Sequence, residues 1–136
     1  MPSLSLVTQA GAPDSSATAT LVQSFNAIGA GTSDSTSILQ TQALPKLYFW
    51  VDCTVGGPLT LTPQFAIRGN TDITNLVQPF QPDPDWKDLG PPVIHAGAGT
   101  GPQLYIYEFP AVWIRLQYTT GGAGASTFEC ILAASV

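Results

Sequence analysis

Apolar residues recur at every second position in a series of short runs, and stretches with a 3.6-residue repeat are few. In Lys46–Val55, Leu47, Phe49, Val51, Cys53 and Val55 share one side, while Tyr48, Trp50, Asp52 and Thr54 share the other. In Val112–Thr119, Val112, Ile114, Leu116 and Tyr118 oppose Trp113, Arg115 and Gln117. This is the period-2 signature of half-buried strands. Comparable runs occupy Leu4–Thr8, Ala17–Ile28, Leu59–Arg68, Val93–Ala96, Leu104–Phe109 and Thr127–Ala134. About eight short strands separated by Gly and Pro predict an all-β fold, a single antiparallel β-sandwich or jelly-roll-like domain over residues 1–136. Lys46–Val55 is expected near the centre of a sheet. Gly56-Gly57-Pro58 reads as a reversal that makes residues 46 to 68 a hairpin, and Gly121–Ala125 reads the same way within Ala111–Val136. The second hairpin is expected to close the sandwich with Val112, Ile114, Leu116, Phe128, Cys130 and Leu132 turned inward.

Three segments depart from this regularity. Residues 1–16 read as an extended N-terminal arm. Gly29–Ser37 is a Gly/Ser/Thr loop leading into Ile38–Leu44, a short strand or sheet edge. Gly69–Gly101 carries Pro79, Pro82, Pro84, Pro91 and Pro92 and reads as a long Pro/Gly-rich loop, a length that usually signals binding. Its Phe80, Trp86 and Leu89 dock either on their own sandwich or on a neighbour. With 136 residues, folding buries roughly two-thirds of the unfolded surface, enough for a core without metal or disulfide support.

Charge narrows the functions. Only 10% of the residues are charged, against about 25% in ordinary soluble domains, so the exterior is weakly defended against association. The net charge is −5, and the four cations, Lys46, Arg68, Lys87 and Arg115, are scattered. Nucleic acid and anionic membrane therefore lack the clustered Lys and Arg they need. The first ten residues lack a signal peptide's basic and continuous apolar regions, and no run reaches membrane-spanning length, so folding in reducing cytosol is expected. Cys53 and Cys130 then read as small buried hydrophobes.

Candidate chemistry is sparse, and no catalytic residue, cofactor or metal site is expected. His95, the one histidine, has no nucleophile context and reads as a strand-end residue. Asp83, Asp85 and Asp88 alternate with prolines and Lys87, a solvated acidic turn rather than a calcium loop. Gly97–Gly101 and Gly121–Ala125 lack the Lys-Ser/Thr and following helix of a phosphate loop. Glu108 and Glu129 have no surroundings that mark a glycosidase pair. The aromatics Trp50, Trp113, Tyr48, Tyr105 and Tyr107 carry more information, since Trp50 and Trp113 lie on the more polar sides of their strands. They suit either stacking on sugars or burial between subunits, and the low charge favours subunits.

The stretch from Phe109 through Pro-Ala-Val-Trp-Ile-Arg-Leu-Gln-Tyr-Thr-Thr, the Gly-rich turn and Ser-Thr-Phe-Glu-Cys-Ile-Leu-Ala-Ala resembles the closing pattern of small phage capsid decoration, or cement, proteins. Leu59–Asp72 followed by Trp86-Lys-Asp-Leu is similar to the layout that precedes it. The same strand and turn also occur in discoidin-like and other carbohydrate-binding sandwiches. The resemblance implies a β-sandwich, commonly a homotrimer, that binds the major capsid protein on the outer virion surface at capsomer junctions after synthesis in the host cytoplasm. Trp113, Arg115, Trp50, Phe80 and Trp86 are the expected partner-binding residues, with Met1–Thr8 and Gly69–Gly101 as clamping segments. The alternative is a carbohydrate- or receptor-binding module of a phage tail or extracellular protein.

Overall fold

A computed structural model describes residues 18–66 and 86–136; Leu4–Thr8, the arm 1–16, and Phe80, Asp83 and Asp85 lie outside the described residues. The strands are β1 (Thr18–Ile28), β2 (Ser33–Ser35), β3 (Leu39–Gln40), β4 (Lys46–Val55), β5 (Leu59–Ala66), β6 (Lys87–Asp88), β7 (Val93–His95), β8 (Gln103–Glu108), β9 (Trp113–Thr120) and β10 (Ser126–Ser135). They form two antiparallel sheets. The first has the order β1-β10-β4-β8; the second has β2-β9-β5-β6, with β3 also on β9 and β7 also on β5. Counting β2 with β3 and β6 with β7, this is an eight-strand, two-sheet jelly roll.

The two expected hairpins are not hairpins. β4 pairs with β10 and β8, whereas β5 pairs with β9, β6 and β7; β9 and β10 likewise belong to opposite sheets. Both glycine-rich connections carry the chain across the sandwich instead of folding it back in the same sheet. They meet at one end, where main chain packs on main chain. A Cβ on Gly57 would run into the Cα of Gly97, and one on Gly122 into the carbonyl oxygen of Gly57. Gly121 N–H donates to Pro58 O at 2.8 Å and Ala98 N–H to Gly56 O at 2.9 Å, so the contact also satisfies peptide groups. These glycines make room for neighbouring backbone, a demand that a local turn reading does not include.

Two stretches read as loop are partly strand. Within Gly29–Ser37, β2 pairs Ser33, Asp34 and Ser35 with Thr119, Tyr118 and Gln117. Its side chains are polar because it is a sheet edge, and Ser33 Oγ lies 2.8 Å from Thr119 Oγ1. Within Gly69–Gly101, β6 pairs with β5, as does β7, which realises the strand expected at Val93–Ala96.

The core follows the alternation. Leu47, Phe49, Val51 and Cys53 of β4, Ile114, Leu116 and Tyr118 of β9, and Phe128, Cys130, Leu132 and Ala134 of β10 are all buried. Val112, expected to face inward, is only half-buried. Phe25, Tyr118 and Phe128 join the two sheets, with ring centroids 4.8 to 5.1 Å apart. Val55 breaks the expected pattern and is 53% exposed. Val55 pairs with Thr127 but Cys53 with Phe128, so Thr54 is an extra residue, and one residue of slip turns the following side chain to the other face.

Cys53 and Cys130 are free, buried thiols. Cys53 stands opposite Phe128 and Cys130 opposite Val51, a diagonal placement of about 7–8 Å between Cα atoms that is too long for a disulfide. Burial pushes the Cys130 thiol up to about 12, with the Glu129 carboxylate adding to it, and burial likewise raises Cys53. Tyr105, Tyr107 and Tyr118 are raised by the same cause.

Two predictions follow from this packing. Gly57→Ala should cost about 3 kcal/mol or more in urea denaturation, because it combines a positive φ of 95° with the backbone clash. Gly99→Ala, at φ 91° with open space around it, should cost about 1 kcal/mol. Equal losses would contradict the backbone-contact account. For the thiols, the unfolded Cys130 ionises near 9.0 and the folded one near 12. Between those limits the unfolded chain binds fewer protons, so stability should fall with rising pH, by up to about 1.4 kcal/mol per pH unit for this group. Denaturation midpoints from pH 8 to 11 measure this, and Ellman's reagent should react with Cys130 only after unfolding.

Candidate functional site

Each sheet turns one face to the core and one outward, and the four expected partner-binding residues that are described, Trp50, Trp86, Trp113 and Arg115, divide between the two outer faces. Trp113, Arg115 and Trp86 come together on the second sheet. Arg115 stands opposite Gln64, and Gln64 opposite Asp88, giving a row across β9, β5 and β6. The Arg115 Nε–H donates to Gln64 Oε1 at 2.8 Å, and Gln64 Nε2–H donates to Asp88 Oδ1 at 2.8 Å. The Arg115 guanidinium carbon lies 4.3 Å from the Trp86 ring centroid, a cation–π contact. In the adjacent row Trp113 faces Ala66, which is fully buried. Arg115 thus ties Trp86, and with it the returning end of the long connection, onto β5 and β9.

Trp50 sits on the opposite side of the molecule. Its strand alone suggested a polar setting, since Asp52 and Thr54 share its side, but the register gives it apolar neighbours. One row across the first sheet runs Val22, Ile131, Trp50, Leu104, and the next runs Thr20, Ala133, Tyr48, Ile106. Val22, Leu104 and Ile106 are 56%, 52% and 53% exposed. This band is the largest feature that single-strand reasoning missed. Its signal was Leu104-Tyr-Ile-Tyr, which is apolar on both faces, the mark of a strand covered on both sides. The aromatic half of that pattern faces the core: Tyr105 and Tyr107 are half-buried, and the Tyr107 ring meets Phe49 edge-on at 5.7 Å.

The band is bounded by charge. At one end the row is Thr18, Ser135, Lys46, Glu108; at the other, Ser24, Glu129 and Asp52 stand side by side. Beyond them lies a shallow open cleft lined by Ser24, Asn26, Asp52, Thr54, Thr127 and Glu129. Among the described residues no group of three or more His, Cys, Asp or Glu side chains comes together to hold a metal. His95 is fully buried and both ring nitrogens are used. Nδ1 accepts from Gly97 N–H at 3.0 Å, which places the hydrogen on Nε2, 2.9 Å from the Gly101 carbonyl oxygen. The ring braces the Gly97–Gly101 turn.

No protein-family model matches the chain, and no curated protein matches it. A chain from the solved structure described as "Bacillus endospore appendages form a novel family of disulfide-linked pili" is similar over 95% of both chains, with 12% identity and a TM-score of 0.48.

Arg115→Ala should cost about 2 kcal/mol by chemical denaturation, since it removes the contact with Trp86 and leaves the buried Gln64 oxygen without its donor. Arg115→Lys should recover only part of that loss, because an ammonium lacks the planar stack. A loss of a few tenths for Arg115→Ala would mean that the cluster does not brace the sheet.

Proposed function

We propose that this chain is a structural assembly protein, specifically a virion decoration or cement protein that binds the major capsid protein on the outer shell and stabilises it. The supporting observation is the exposed apolar band of Val22, Ile131, Trp50 and Leu104 with Ala133, Tyr48 and Ile106. Contiguous apolar surface in water favours association, and an open sheet face fits another protein better than it encloses a small molecule. The low charge, 10% of residues, acts in the same direction. Each copy contributes modest contact, and repetition over a shell multiplies it. On this reading the protein is synthesised in the host cytoplasm and works on the virion surface, with no catalytic step.

The carbohydrate-binding alternative is less well served. Trp86 already stacks under Arg115, and the neighbours of Trp50 across the sheet are apolar, without the convergent polar groups that orient a sugar.

Purified protein mixed with undecorated phage shells should co-sediment, saturate at a fixed copy number per capsomer and raise the temperature at which the shells rupture. Failure to bind any shell, together with saturable tryptophan quenching by a glycan, would replace this reading with the carbohydrate-binding one.

A further inference from the structure

We propose that the outer face of the first sheet is covered by the same face of a second copy, in a twofold pairing whose stacked strands run antiparallel. This rests on the assembly reading and gives its apolar band to a second copy, so that the pair rather than the single chain is the unit offered to the shell.

Face-to-face packing of identical sheets requires a twofold axis in the plane of the interface, and the two directions that keep the stacked strands aligned lie across the strands and along them. Of these two, the residue rows are self-complementary about one. An axis across the strands, passing between the rows of Tyr48 and Trp50, keeps each strand over its own copy and reverses the row order. Trp50 then meets the partner's Tyr48, Ile131 meets the partner's Ala133, and Leu104 meets the partner's Ile106. At the ends, Lys46 meets the partner's Asp52, and Ser135 meets the partner's Glu129. Aromatic meets aromatic and aliphatic meets aliphatic, and the cation of the face lies over a carboxylate. An axis along the strands, passing between β10 and β4, keeps the row order and sets Asp52 over the partner's Glu129. That stacks like charges at the rim while leaving both copies of Lys46 over Ser135, so charge selects the first arrangement.

The size is adequate for a weak, specific dimer. Four strands about 4.8 Å apart and four rows about 6.7 Å apart present roughly 500 Å² per copy, so about 1,000 Å² is covered in all. The centre is apolar and the rim polar, the usual order for such a contact.

The test is sedimentation velocity of the full chain over a concentration series. The wild type should pass from monomer to dimer. Leu104→Glu, at a site 52% exposed, should weaken the dimer about tenfold or more, whereas Ile94→Glu, at 68% exposed on β7 of the other sheet, should not. K46D and D52K should each weaken it, and the double variant K46D/D52K should restore it. A wild type that stays monomeric, or forms trimers only, overturns the pairing, as does a double variant weaker than either single one. Shell co-sedimentation is scored separately: a monomer whose shell binding is lost in Leu104→Glu assigns the face to the shell and overturns the twofold, while the assembly reading stands.

Discussion

Where Gly57 meets Gly97 and Gly122, main chain lies on main chain with no room for a Cβ, and the closure of the sandwich at this end depends on that contact. Because the connections on either side of it cross the sandwich, β4 and β10 come together at the middle of the first sheet, and β5 and β9 at the middle of the second. Phe25, Phe128 and Tyr118 then lock the sheets through the core. His95 holds the third strip of backbone, Gly97–Gly101, against the crossing. The residues that look most like phosphate-binding or catalytic chemistry, the glycine runs and the one histidine, are thus the means by which the jelly roll closes.

That topology also explains what could be read from the chain and what could not. The alternation in Lys46–Val55 and Val112–Thr119 reported inward and outward sides correctly over most of their lengths, because the period of a strand is local. Pairing is not local. A Gly-Gly between two alternating runs looks the same whether the chain turns back beside itself or crosses to another sheet, and only the packed neighbours distinguish them. The bulge that turns Val55 outward is invisible for the same reason. Polar β2 was hidden by composition, since Ser-Asp-Ser has no apolar side to report.

The outer faces show the same limit at the level of function. Trp113, Arg115 and Trp86 were each visible as candidates, but only the β5–β6 and β5–β9 registers place them in one cluster, where Arg115 braces its own domain. Trp50 looked like an isolated aromatic among polar residues until β10 and β8 supplied Ile131 and Leu104 beside it. A surface property that spans four strands is set by register, and no single run contains it. The two outer faces therefore differ in kind among the described residues: one is tied by hydrogen bonds and a stacked guanidinium, the other is an exposed apolar band bounded by charge.

The central claim is that the protein works by having that band covered. Hydroxyl-radical footprinting, which reads side-chain exposure directly, compares the free chain with its assembled form. The account predicts strong protection of Tyr48, Trp50, Leu104 and Ile106 on assembly, with Ile94 modified equally in both. Unchanged modification of the four band residues in the assembled form would contradict it.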